Sequence, residues 1–128
     1  MSWNRTPVAA ALVSIIEAAT GGVKCHASPP ETLNGPCFVV MRPQPVVYAT
    51  AGLGVDEATL PVAVVSGIEQ ESNIDDLKNQ AIKAIGADQT LGGVVFACYP
   101  IEERNWRNVT GAGGTQLLLV ELILTVHM

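Results

Sequence analysis

The sequence predicts an α+β fold: a mostly antiparallel five-stranded sheet with two helices, in the order α-β-β-β-α-β-β. Three observations carry this expectation. Two segments, Pro7 to Thr20 and Ile74 to Ile85, repeat apolar residues at helical spacing. Five others are short, apolar and rich in β-branched residues, with Gly, Pro and Asn between them. Three of those five follow one another with no helix between, so they reverse direction and pair antiparallel. The chain has 128 residues, which suits a single domain, 1–128, because either half alone would hold only a marginal core.

The first helix is expected from Pro7 to Thr20. Thr6 would cap it, Pro7 takes the first position where its missing N–H costs nothing, and Gly21-Gly22 stops it. Val8, Leu12, Ile15 and Ala19 line its apolar face, with Ala11 and Ile16 beside them. Glu17 ends the apolar run, which argues against a cleaved secretion signal. Val23 to Pro36, rich in Gly, Pro, Ser and Asn, reads as a surface connection. Cys37 to Met41 begins the sheet, Pro43 and Pro45 interrupt it, and Val46-Val47-Tyr48 resumes it as a hairpin or bulged pair. Ala51 to Thr59 is a polar turn, and Leu60 to Ile68 is the third strand.

The second helix is capped by Ser72 or Asn73, has Asp75 and Asp76 at its positive end, and closes before Gly86. Its face of Ile74, Leu77, Ala81, Ile82 and Ile85 packs on the sheet. A turn at Asp88-Gln89-Thr90 leads to a fourth strand from Gly92 to Tyr99, which Pro100 ends. Ile101 to Gly114 reads as a polar loop, with Gly111 to Gly114 as its hinge. Thr115 to His127 is the last strand. Its even-numbered face, Leu118 to Val126, is wholly apolar, yet the odd face also carries Leu117, Leu119 and Ile123. A solvated face would alternate to polar residues, so these three are expected at a subunit interface.

Composition excludes several functions. Apolar residues make up 48% and charged residues 15%, with a mean hydropathy of +0.33, far from the profile of disorder. Seven basic residues against twelve acidic ones give a net charge of -5, the wrong sign for a surface that grips nucleic acid. The longest late apolar run, Leu117 to Leu124, is broken by Glu121 and too short to span a bilayer, so no membrane is expected. Cys25, Cys37 and Cys98 form no CxxC pair and the chain has two histidines, so neither a disulfide framework nor a metal site is expected. No nucleophile elbow, phosphate loop or HExxH pattern occurs, and Cys25-His26 lacks an orienting third group. The expectation is a protein that is not an enzyme and takes no cofactor.

Two charged features remain. Between Arg42 and Lys78 lie six acids and no base; Asp75 and Asp76 belong to the helix start, leaving Asp56, Glu57, Glu69 and Glu71 as a candidate acidic surface. The segment from Ile101 to Gly114 sets Glu102, Glu103, Arg104, Trp106 and Arg107 together. Trp and Arg are enriched at interface hot spots, so a docking loop is expected there.

With these elements in place, the chain resembles the tail-terminator proteins of long-tailed bacteriophages, also called tail completion or minor tail proteins. The likeness rests on the amphipathic helix Pro7 to Thr20, the proline-punctuated Cys37-Phe38-Val39-Val40-Met41-Arg42-Pro43-Gln44-Pro45, the strand Leu60-Pro61-Val62-Ala63-Val64-Val65, and the helix-turn-strand from Leu77 to Tyr99. Within the last, Ala87-Asp88-Gln89-Thr90-Leu91-Gly92-Gly93-Val94 looks like the turn after the second helix of that family.

The resemblance implies a virion protein of the tail, assembled in the host cytoplasm into a homo-oligomeric ring of six. Such a ring caps the tail tube, ends its polymerisation and offers the surface for head-tail joining. Its partners would be the tail tube protein and the head-tail connector proteins, and DNA would pass through without specific binding, past acids facing the lumen. Nothing in the family assigns a role to Cys25-His26. Two other readings fit the same features: a head-tail connector or neck adaptor, and a small cytosolic α+β ligand-binding or enzymatic oligomer.

Overall fold

A computed structural model describes residues 3–49, 54–68 and 71–128, with Glu71 described by its backbone alone. The element order is α1 (Arg5–Ala19), β1 (Cys25–His26), β2 (Cys37–Val40), β3 (Val46–Val47), β4 (Glu57–Gly67), α2 (Glu71–Ala87), β5 (Ala97–Thr110) and β6 (Gln116–His127). The strands make one sheet in the order β1-β2-β4-β6-β5, with β3 also paired to β4. The α+β class is as expected. The sheet is mixed and not purely antiparallel, because β1 runs parallel to β2, and it has six strands where five were expected.

Both helices cover one face of this sheet. Val8, Leu12 and Ile16 of α1 and Ile74, Leu77, Ala81 and Ile85 of α2 meet Phe38, Val40, Leu60, Val62, Val64, Val120, Leu122, Leu124 and Val126. Each strand contributes alternate residues, as the pleat requires. The periodicity thus placed both helices, but their ends differ. Asn4, not Thr6, caps α1 by accepting the Thr6 N–H at 3.2 Å, and α2 begins at Glu71 with Ser72 and Asn73 already in its first turn.

The opposite face corrects the expectation of an interface at Leu117, Leu119 and Ile123. All three are buried within the single chain, at 3, 5 and 0% exposure. Leu117 and Leu119 join Cys37, Val39, Ala63 and Val65 in a second core, which Leu33, Met41 and Val109 cover. Ile123 stands in the ladder between Pro61 of β4 and Glu102 of β5. The connection read as a plain surface loop supplies both the short strand β1 and the Leu33 cover. Its route over the sheet is fixed by backbone bonds, with Phe38 N–H donating to the Lys24 carbonyl at 2.8 Å and Ala112 N–H to the Leu33 carbonyl at 2.9 Å.

Pro61 lies in β4, an interior strand, where a missing donor would break a ladder. Met41 donates to the Pro61 carbonyl, so Pro61 turns its main-chain polar edge toward β2 and β3. Its nitrogen therefore faces the break at Arg42 and Pro43, between the Met41 bond to Pro61 and the bonds of Gln44 and Pro45 to Thr59, and the pairing with β6 is intact.

The largest revision concerns the polar loop expected from Ile101 to Gly114. The structure instead runs β5 straight through Pro100 to Thr110, paired with β6 over almost its whole length. Pro100 is tolerated because β5 is an edge strand. Gly111 is no hinge either. It donates to the Thr115 carbonyl at 2.6 Å in a tight reversal, and a Cβ there would lie 2.6 Å from Leu117 Cδ1 and 2.7 Å from the Leu33 carbonyl oxygen. Only glycine lets the hairpin tip sit so close to the second core.

Candidate assembly surface

The residues expected in a docking loop are held in β5, and the strand divides them between the two faces of the sheet. Glu103 pairs in register with Leu122 and so faces the helices. There Lys78 of α2 donates to Glu103 Oε1 at 3.0 Å and to Asp75 Oδ1 at 3.1 Å. Trp106 Nε1 donates to Glu103 Oε2 at 3.0 Å, and the Lys78 ammonium lies 5.6 Å from the centre of the Trp106 ring, within cation–π range. Lys78 is 8% exposed. Burial pulls its pKa down, but hydrogen bonds to Glu103 and Asp75 outweigh this and hold it above the ordinary lysine value.

On the other face, Arg107 Nη1 donates to Glu121 Oε2 at 2.7 Å and to the Asn105 carbonyl at 3.0 Å. Arg104 approaches Glu102 at 3.9 Å, in the open. The register slips between Arg104 and Arg107, and Asn105 takes φ +60°, a left-handed conformation that Asn adopts more readily than most residues. This bulge, the four charged side chains and Pro100 blunt the free edge of β5 against strand addition. What β5 offers a partner is side chains, with Ile101 half exposed and Trp106 at 40%.

A second apolar patch was not anticipated. Val47, Glu57, His127 and Ala97 form one row across β3, β4, β6 and β5. At that end of the sheet Val47, Tyr48, Val55 and Phe96 are all exposed. They come from three separate segments of the sequence, and the strand order brings those segments to one end of the sheet.

The acidic surface is only partly present. Asp56 is buried, and its carboxylate accepts the main-chain N–H of Ala49 at 2.8 Å and of Trp3 at 2.6 Å. It staples the start of the chain to the sheet and is not available to a lumen, which corrects that assignment. Glu57 is exposed beside His127, 3.1 Å from Nε2. Glu69 lies outside the described residues, and the side chain of Glu71 does too.

The Ala49 and Trp3 bonds, the former the larger effect, hold the Asp56 pKa below the ordinary 3.8. A carboxylate with a depressed folded pKa stabilises the fold above its unfolded value, and that contribution fades as pH falls through the folded one. Asp56→Asn is therefore expected to lower the urea midpoint at pH 7 and to flatten its decline between pH 4 and pH 2. A parallel shift at all pH values would show that Asp56 contributes no proton linkage.

The three thiols are buried and free. Burial first, then Glu17 nearby, pushes Cys25 up to about 12; burial pushes Cys37 to about 11 and Cys98 to about 12. All are protonated at neutral pH, and Cys25 sits in the helix-side core, so Cys25-His26 presents no thiolate. Among the described residues no three His, Cys, Asp or Glu side chains converge as metal ligands, and no helix is long and apolar enough to cross a membrane.

No protein-family model matches the chain, and comparison with curated proteins finds no match. Among solved structures, the chain is similar to one described as "Virion of native gene transfer agent (GTA) particle", with a TM-score of 0.50 and 13% identity. The likeness covers 94% of this chain and 92% of that one, so the two share a fold from end to end.

Proposed function

We propose that the chain is a structural virion protein of the tail-terminator type: a subunit of a six-membered ring that closes the tail tube, ends its polymerisation and receives the head connector. The observation that carries this reading is the end-to-end fold likeness to a chain from a virion particle, 94% of this protein against 92% of that one. The resemblance of its motifs to tail terminators supports the finer assignment. The protein acts by surface and not by chemistry, as neither an enzyme nor a cofactor carrier, in virions assembled in the host cytoplasm.

Neighbouring subunits and the tube meet the side chains that stand in solvent. These are Ile101 and Trp106 on β5 and the patch of Val47, Tyr48, Val55 and Phe96 at the sheet end. A net charge of -5 suits a ring through which DNA passes unbound.

Negative-stain imaging with mass measurement, with and without tail tube protein, tests the reading. Rings seated on tube ends, and tubes of limited length, are expected. A protein that stays monomeric and leaves the tube growing would overturn it. Trp106→Ala is expected to keep the melting temperature within a few degrees while weakening ring or tube association at least tenfold, the size of a hot-spot loss. Unchanged association would remove Trp106 from the interface.

A further inference from the structure

Arg5, the first residue of α1, is fixed by its guanidinium. Nη2 donates to the carbonyls of Ala27 at 2.6 Å and Val40 at 2.7 Å, and Nε donates to that of Met41 at 3.3 Å. These carbonyls belong to the residue before Ser28 and to the two residues before Arg42, so the same bonds that hold Arg5 bring it beside both. Arg5, Ser28, Pro29 and Arg42 line one cavity of about 520 Å³. It lies on the β1–β2 side of the sheet, at the opposite edge from β5.

The electrostatics of this cavity are unusual for so acidic a chain. Among the described residues no carboxylate lines it. Arg42 makes no hydrogen bond or ion pair among the described residues, nor does the Ser28 hydroxyl, and Arg5 Nη1 is likewise uncommitted. Burial first, and then the charge of Arg42, hold the Arg5 pKa below its ordinary value. Two cations are thus kept close with nothing between them to offset their repulsion. The main-chain carbonyls that orient Arg5 carry no full charge.

We infer that Arg5, Ser28 and Arg42 form a binding site for a single oxyanion, a phosphate or carboxylate group. Arg42 can turn a guanidinium fork to the paired oxygens of such a group, and the fixed Arg5 offers its uncommitted Nη1 with little loss of freedom. Ser28 adds a neutral donor. Two cations suit one anionic group and are too few to track a nucleic-acid backbone, whose binding scales with the number of phosphates neutralised. The inference stands on this cavity alone and does not depend on the ring.

Amide NMR titration with inorganic phosphate and with acetate, against chloride at equal ionic strength, tests it. Saturable shifts at residues 28 and 42 are expected with at least one oxyanion. Arg42→Gln, whose site takes no part in holding the fold, should weaken binding at least tenfold, and Ser28→Ala severalfold. Shifts no larger than those from chloride, or affinity unchanged in Arg42→Gln, would overturn the site. Sedimentation distinguishes the sources. If phosphate and Arg42→Gln both weaken self-association, the natural group is a carboxylate of a second copy; if neither does, it is a free anion.

Discussion

Ile123→Asp is expected to leave no folded chain at neutral pH and 25 °C. The isoleucine is wholly buried, and removing its contribution costs about 1.5–3 kcal/mol. An unpaired carboxylate in its place costs several kcal/mol more, because water cannot reach it. Its ladder partner is Glu102, and Glu121 lies two residues away on the same face, so the new charge joins two carboxylates, while the cations of that face, Arg104 and Arg107, are already drawn to them. A domain of this size holds about 5–15 kcal/mol in all, which the substitution consumes largely or wholly. Leu119→Asp should be milder, since Leu119 stands opposite Arg107 in the register and an aspartate there gains a cation. Ile123→Val, at about 0.5–1.5 kcal/mol, supplies the size control. Circular dichroism and size exclusion decide the matter. A soluble, folded Ile123→Asp monomer would mean that this face opens in solution and is shared between copies after all.

That expectation reverses what the sequence alone suggested, and the reason is physical. Alternation along Leu117 to Val126 shows correctly that both faces of β6 are apolar, but a pattern local to one strand says nothing of what lies over it. The cover comes from residues remote in sequence: Leu33, on a segment whose Pro, Gly and Ser content hides any periodicity, and Met41, at the end of the first strand-like run. The helices were legible because their spacing and caps are local signals. β1 was not, since two residues have no pattern and its pairing with β2 is non-local.

The loss of the expected loop has the same origin. Pro100 and the run Glu102-Glu103-Arg104-Asn105 have little strand propensity, yet β6 supplies a ready ladder and tertiary context overrides propensity. Among the candidate site residues, the grouping of Glu102 to Arg107 was visible as composition. Their division between two faces was not, because it depends on register. Asp56 shows the limit most plainly: read as one of a run of surface acids, it is consumed by the main chain of Trp3, 53 residues away. In sequence, Val47, Tyr48 and Phe96 read as parts of strands and Val55 as part of a turn, and no local pattern shows that these segments meet at one end of the sheet.

Lys78→Met is expected to lower stability by about 1.5–3 kcal/mol, the range for hydrogen bonds that involve charged groups. Met is close to lysine in length and fills the same space, so the loss reports on the ammonium and not on volume. Deleting that charge removes the bonds to Asp75 and Glu103 together with the cation under the Trp106 ring. The cost stops short of that of a sealed ion pair because Glu103 and Asp75 are 41 and 50% exposed, and water takes over part of their solvation. The sign with pH follows from the raised lysine pKa: the contribution is complete below the ordinary 10.5 and is lost as pH rises through the folded value. Glu103→Gln leaves one acceptor oxygen, which serves Lys78 or Trp106 but not both, and so breaks part of the same network. The double variant should cost less than the sum, since both changes break one network. Lys78 is also the only described α2 side chain in a salt bridge to β5, so its loss should speed amide exchange across residues 101–108 while β6 keeps its protection. Exchange there no faster than in the parent protein would show that the β6 ladder alone sets the shape of β5, and that Trp106 owes its position to the bulge at Asn105.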